Sequence, residues 1–512
     1  MSVVGGADAA APAANAKTVT SRTDSLTGVR TYVVKGKIGR GSVHAHNRSS
    51  RRLSTATINK AVVAGTATAS LTFSSRCAPV TMKLVQSGIT LATTSGSSGI
   101  SATANVVTGT LAVKLSSNSC LTNYTLKVTN TPTPIPTPTP TTASPTPTPT
   151  TASPTPTTPV GTSVLTFGAI GDGVTDDTAA LQAGLDATGA GATLLLPAGK
   201  VFKHSGVLKL RQAGQTVTGG GTLLASNEAT SNVWISANNV TLSNVTLKMG
   251  TTTKRWETYD QMKLRLGPVT GVTLTDVTID GSAAAGLYVG GASNFTFNRI
   301  TVQNTRADAI HFTESSHDGT LTDATVRNPG DDGVAVVSYA AGGAAPVQNI
   351  TITNPKLYGQ SWGRGFSVVG GRNITWNNIY AEHSNAATIY VSAEGEYNTQ
   401  AVSNVTFDGG TINYANDNAA VDHGAIMLYN SKAGAVNTDI TIRNIAINNT
   451  RTGWAQVQIN NANGGVQQRL TLNNLAFTNG PALFPYGVPT TGYNRTGWTY
   501  NGSPVANLTT WS

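Results

Sequence analysis

Charged side chains are scarce, with only 11% of the 512 residues being Asp, Glu, Lys or Arg. Aromatic residues are scarcer, at 6%, and cysteine occurs twice. With 39% hydrophobic residues, the chain has enough apolar material for a large core, which excludes a mainly disordered protein. No run approaches about 18 consecutive apolar residues, so no segment reads as a membrane-spanning helix. The opening MSVVGGADAAAPAANAK lacks a basic segment followed by an apolar one, so no export signal is visible. Export is therefore argued only indirectly, with a leader already removed, and the protein is expected to be secreted. Zinc-ligand spacing, a phosphate loop and a Ser/His/Asp elbow are all missing, and neither metal nor cofactor is expected.

Small polar residues dominate instead, among them 54 glycines. The net charge of +10 is unevenly placed. Residues 1–130 hold 14 Lys/Arg against Asp8 and Asp24, and the rest holds 20 against 22 acids. Both cysteines, Cys77 and Cys120, fall in the basic part, where one bridge would suit an oxidising compartment. Residues 131–160 contain 11 of the 22 prolines in a Thr-Pro pattern that favours extended polyproline II. The composition predicts four parts: a disordered leader (1–26), a basic β-sandwich module (27–130), a linker (131–160) and a repetitive domain (161–512).

In the module, runs such as TYVVKGKI, ATASLTFSS and GTLAVKLSS alternate apolar and polar residues between turns, as antiparallel strands do. Lys35, Lys37, Arg40, Arg48, Arg51 and Arg52 form a basic cluster suited to an acidic polymer or a cell-wall glycan. Nucleic acid is not expected, because no aromatic stacking platform accompanies the charge.

After the linker, the stretch from Thr175 reads as a capped amphipathic helix with acids in its first turn and Leu181 and Leu185 on one face. The remainder repeats. Thr241, Thr273, Thr296, Thr320, Thr351, Thr375, Thr406, Thr441 and Thr471 occupy one position of a motif such as NVTLSNVTL. Their spacings have a base of 23–24 residues with insertions of seven to eleven, the signature of a solenoid. Two or three short strands per unit, with asparagines at the bends, predict an all-β fold. It is a right-handed parallel β-helix with an N-terminal capping helix, preceded by the small β-sandwich.

Equivalent positions of successive turns stack at about 4.8 Å. Aligning the second apolar run of each unit puts Ala285, Asp308, Asp332, Arg364, Ala387 and His423 in one column. Leu287, Ile310, Val334, Phe366, Ile389 and Ala425 then point inward, while Tyr288, His311, Ala335, Ser367, Tyr390 and Ile426 face solvent. Asp308, Asp331, Asp332, His311 and Arg364 converge within two or three rungs. Glycoside hydrolysis needs such a set, with one carboxyl protonated and another ionised across the scissile bond. Trp362, Tyr390, Tyr339 and Trp256 are candidates to stack on sugar rings, and His311, Arg364 and His423 to bind them.

The segment FGAIGDGVTDDTAALQAGL resembles the opening of the pectin-lyase-like β-helix superfamily, which includes polygalacturonases and phage tailspikes. RADAIHF, GDDGVAV and GRGFSVV resemble successive active-site motifs of glycoside hydrolase family 28. RNPGDDGVAVVS, 23 residues after Asp308 at its first aspartate, looks closer to glycoside hydrolase family 87, which contains bacterial α-1,3-glucanases. The resemblance implies Asp331 as general acid, Asp308 and Asp332 as holders of the attacking water, and inversion at the anomeric carbon. Arg364-Gly365 stands where family 28 has His-Gly, and that family's Arg-Ile-Lys motif is missing from NAATIYVS, which favours a neutral sugar over a uronate. The expectation is a monomeric extracellular hydrolase, with α-1,3-glucan as first substrate and polygalacturonan as second. A lyase using Lys254, Arg255, Lys263 and Arg265, or Arg364 with Tyr390, and a non-catalytic glycan-binding adhesin are the rivals.

Overall fold

The computed structural model describes nine strands with flanking positions between residues 17 and 132, then residues 160–484 apart from 452, and 493–509. The chain divides into two compact units, Met1–Thr151 and Ala152–Ser512.

In the first unit, Lys17–Thr23, Arg30–Ile38, Thr122–Pro132, Gly65–Phe73 and Ile100–Val106 form one antiparallel sheet in that order. Ser54–Val62, Gly109–Ser117, Val80–Gln86 and Ile89–Gly96 form a second. Alternation sets the faces: Ala67, Ala69 and Leu71 are buried, Thr68 and Ser70 between them are half-buried, and Thr66 and Thr72 on either side are exposed. Inward residues of both sheets, including Met82, Val113 and Leu126, share one core, which makes the unit a sandwich. The expected leader needs correction, because Lys17–Thr23 pairs with Arg30–Ile38 as an edge strand. Its alternating KTVTSRT was too polar to read as a strand. Lys35 is exposed. Arg40, Arg48, Arg51, Arg52, both cysteines and linker residues 133–159 lie outside the described residues, as does the Lys37 side chain.

The second unit is a parallel coil. The nine threonines pair in one unbroken column from Thr241 to Thr471. They belong to a 22-stranded sheet that bends within each turn. The bends fall at residues of positive φ such as Asn244, Asp276, Asp323, Asn354, Asn378, Asn444 and Asn474, a conformation that Asn and Asp tolerate best after glycine. A ten-stranded parallel sheet, from Leu208–Leu210 to Val457–Asn461, closes the cross-section. Leu287, Ile310, Val334, Phe366 and Ile389 form its fully buried inward column.

Two details differ from the stacked alignment. Ile389 pairs with Ile426 and Tyr390 with Met427, so the expected place of His423, Ala425 and Ile426 is off by one residue. The turn before this strand contains Gly424 at φ +69, and an extra residue there shifts the register. The outward column is also only partly open: Ala335, Ser367 and Tyr390 are buried, and Ala335 and Tyr390 pack with Val337, Val369, Ala387 and Met427.

The helix spans Thr178–Ala187, later than expected, because Thr175 and Asp176 belong to strand Asp172–Asp176. Its first turn holds no acid, and the Asp177 carboxylate accepts the backbone N–H groups of Ile170 and Gly171 instead. Leu181 and Leu185 are buried in the same core as Leu194 and Leu208, so the helix covers the open N-terminal end. At the other end, Tyr493–Thr496 pairs antiparallel with Leu508–Thr509, and Trp498 is buried.

Candidate active site

The turns that enter strands of the ten-stranded sheet line an open cleft of about 650 Å³. Asp308 precedes Ile310–Thr313, Asp331 and Asp332 precede Val334–Val337, and Arg364 precedes Phe366–Val369. Parallel pairing of Ile310 with Val334, and of Val334 with Phe366, sets these residues on consecutive rungs. Carboxylate oxygens of Asp308, Asp331 and Asp332 lie within 4.8 Å of one another. Glycines permit the approach: a Cβ on Gly363, where φ is +78, would lie 2.4 Å from Asp331 Oδ1.

Each aspartate has its own setting. Asp308 Oδ2 is 2.5 Å from His311 Nδ1, and its Oδ1 accepts the Asp332 backbone N–H at 2.9 Å. Asp332 is buried. Its Oδ1 accepts the Arg364 N–H at 2.7 Å and its Oδ2 the Ser367 hydroxyl at 2.5 Å, with Arg364 Nε 3.3 Å away. Asp331 accepts from Arg255 at 2.5 Å. Burial and then the Asp332 charge raise the pKa of Asp331, against the opposing pull of Arg255. Burial also raises Asp332, assisted by Asp308 and opposed first by Arg364.

Of the expected sugar-binding residues, His311, Arg364 and Trp362 line the cleft, and Trp362 is 57% exposed. Tyr339 and Trp256 line it too. Tyr390 and His423 are not among its lining residues. Tyr390 is 4% exposed, with the Arg364 guanidinium 4.4 Å from its ring and His423 stacked at 5.9 Å. A sugar-stacking role for Tyr390 and a sugar-binding role for His423 are corrected: Tyr390 supports the Arg364 guanidinium, and His423 stacks on Tyr390. Burial, then Arg364, lowers the His423 pKa to about 4.

The cations considered for elimination are mostly occupied elsewhere. Lys263 is fully buried, its Nζ donating to Ser231 O at 3.0 Å, and burial lowers its pKa to about 7. Lys254 lies 3.9 Å from the Trp256 ring centre and Arg265 3.7 Å from that of Tyr259. Tyr390 donates its hydroxyl to Glu394, and burial raises its pKa, so it is a poor base.

Residues 201–354 match the family model for a right handed beta helix region, and residues 161–233 match that described as Rhamnogalacturonase A/epimerase, pectate lyase-like. No curated protein matches. Among solved structures, the catalytic domain of a GH87 alpha-1,3-glucanase in complex with nigerose is similar over 92% of this chain and 88% of that chain, at 16% identity and a TM-score of 0.53. An aspartate-to-alanine variant of a GH87 catalytic domain in complex with tetrasaccharides is similar over 96% and 92%, at 16% identity and a TM-score of 0.51. The fold is the pectin-lyase-like right-handed β-helix.

On this pectin-lyase-like scaffold the cleft also holds Glu394 and Arg255, which stacking the repeats did not bring to the site, and Tyr288, which it placed beside His311. Glu394 follows strand Ile389–Ala393, and burial raises its pKa, against Arg364, whose Nη2 is 3.7 Å away. Tyr288 stacks on His311 with ring centres 5.4 Å apart. Arg255 arrives from the insertion before Leu264–Leu266. Position i+5 from the inward Ile389 was a usable signal for Glu394, whereas nothing in the repeats points to Arg255. The three aspartates are near enough to share a divalent cation, but Arg255 and Arg364 already neutralise two of them. A buried, raised carboxyl beside two others, in a groove with aromatic walls, is equipped to move protons at a sugar linkage.

Proposed function

We propose that the protein hydrolyses a polysaccharide by acid/base catalysis at Asp308, Asp331 and Asp332, with α-1,3-glucan as substrate. The observation that carries this reading is the three-aspartate cluster, in which Asp331 is raised above its ordinary pKa at the wall of an open cleft. Asp331 gives its proton to the glycosidic oxygen as the bond to the anomeric carbon breaks. A water held by Asp308 and Asp332 attacks that carbon and passes its proton to them. The anomeric configuration then inverts, an outcome that NMR of the first product reads directly.

Similar proteins support both parts of the proposal. The GH87 variants of known structure replace aspartates spaced 23 residues and then one residue apart. Asp308, Asp331 and Asp332 have the same spacing. Those catalytic domains are named α-1,3-glucanases and hold nigerose or tetrasaccharides. The cleft itself is lined by five acids and two arginines, which repels a polyuronate and suits a neutral glucan. The first unit is then an accessory module for an acidic polymer or cell-wall glycan, and the protein works outside the cell.

The test is a reducing-end assay on α-1,3-, α-1,4- and β-glucans, polygalacturonate and alginate, with ultraviolet absorbance recorded alongside. Reducing ends from α-1,3-glucan without absorbance are expected, and Asp331→Asn should lower the rate at least 100-fold. An absorbing product would identify a lyase. Undiminished activity in Asp331→Asn would remove Asp331 from the chemistry.

A further inference from the structure

Asp331 differs from its neighbours in how it is held. Asp308 and Asp332 are fixed by groups of the coil itself: His311, backbone N–H groups, Ser367 and Arg364. Among the described residues, the hydrogen-bond donor to the Asp331 carboxylate is Arg255, 76 residues earlier in the chain. Its segment is fastened on both sides of that arginine. Arg306 donates to Thr252 through Nε at 2.8 Å and Nη2 at 2.6 Å. The Thr253 N–H donates to Glu228 at 2.7 Å, and the Trp256 N–H to Ala283 O at 2.9 Å.

A guanidinium does not lose its proton at any pH the protein survives, so it stabilises Asp331 as a carboxylate. It also takes up one carboxylate oxygen, Oδ2, which cannot carry a proton while the contact lasts. Holding the acid charged is the opposite of what the chemical step needs, so the contact opposes catalysis while it lasts. Arg255 has somewhere else to go: its Nε already donates to Glu257 at 2.9 Å, and that carboxylate is 73% exposed.

We propose that Arg255 is a positioning residue that opposes protonation of Asp331 in the empty cleft and swings away to Glu257 when a sugar enters. The inference rests on Asp331 being the general acid. Asp331 faces Asp332 on its own turn, Asp308 on the preceding rung, Arg364 on the following rung, and Arg255 with Glu257 from the insertion. Of the groups in contact with the Asp331 carboxylate, Arg255 comes from outside the coil, so it can leave without disturbing the rungs. The acid therefore titrates lower in the free enzyme than in the complex.

The experiment uses the full chain and three variants, Arg255→Gln, Arg255→Lys and Asp331→Asn, with melting curves to confirm folding. The basic limb of kcat/KM against pH reports the acid in the free enzyme, and that of kcat reports it in the complex. In wild type the first limb should lie below the second. Arg255→Gln should raise the kcat/KM limb by about one pH unit, leave the kcat limb in place, and bring the two together. Arg255→Lys should restore the gap. Equal movement of both limbs would show that Arg255 stays on Asp331 throughout, and no movement in either would show that it exerts no hold; both overturn the proposal. A second readout needs no substrate: the carboxyl band in infrared difference spectra against Asp331→Asn should titrate higher in Arg255→Gln than in wild type. An unchanged titration overturns the proposal independently of activity. If Asp331→Asn remains fully active, the assignment of Asp331 as general acid fails, and the infrared titration still decides whether Arg255 governs this carboxyl.

Discussion

Position 363 has no room for a side chain. An added Cβ would lie 2.4 Å from Asp331 Oδ1 and 2.7 Å from the Asp332 nitrogen, so it would push the carboxylate pair out of place. The positive φ adds backbone strain of about 1–3 kcal/mol for any other residue. Gly434 separates these two effects, because it has φ +73 with nothing within 4 Å of its Cβ position. Gly363→Ala should lower kcat more than tenfold, whereas Gly434→Ala should lower only the urea midpoint; equal kcat in the two variants would refute the crowding argument. Placement of Asp308, Asp331, Asp332 and Arg364 could be read from the chain because each directly precedes an apolar run whose register is fixed by its inward column. Glu394 and Arg255 were less accessible for a physical reason. One follows its strand instead of preceding it, and the other sits on an insertion with no counterpart in neighbouring turns.

The strands of the coil are short, and asparagines align them. Asn349, Asn373 and Asn404 stand at positive φ on consecutive turns. The Asn373 amide donates to Asn349 at 2.8 Å and accepts from Asn404 at 2.9 Å. Asn373→Ala loses both the bend preference and the ladder, and should cost about 2 kcal/mol. Asn373→Gly keeps the bend and loses only the ladder, so its urea midpoint should fall between those of the alanine variant and wild type. A glycine variant as unstable as the alanine one would assign the whole effect to the ladder. This regularity explains why the threonine column was legible over nine turns: side chain, bend and partner repeat together. It failed at Ile426, where the longest interval, 35 residues between Thr406 and Thr441, hides one residue in the turn at Gly424. A slip of one residue exchanges inward and outward positions, so His423 lost its expected place in the column.

On the scale of the molecule, what matters is how the cleft runs along the coil. Met262, Ala285, Asp308, Asp332 and Arg364 belong to five consecutive rungs and all line it, so its floor extends about 19 Å along the axis at the usual strand spacing. The aspartates occupy the third and fourth of these rungs. Trp256 packs with Met262, Ala284 and Ala285 on the earlier side, and Trp362 stands in the turn before Phe366 on the later side. If the cleft cuts a glycan as proposed, it offers a surface for sugar units on both sides of the bond. The expectation at this scale is internal cleavage, because a chain lying across such a groove would need no end to be located first. Early hydrolysis of a soluble glucan should release a mixture of oligosaccharides and lower viscosity sharply while few reducing ends have formed. Trp256→Ala and Trp362→Ala should each raise KM and shift the mixture in opposite directions, since each removes a platform on one side of the cut. A single short product from the first turnover, unchanged in either variant, would mean that the groove is used from one end only.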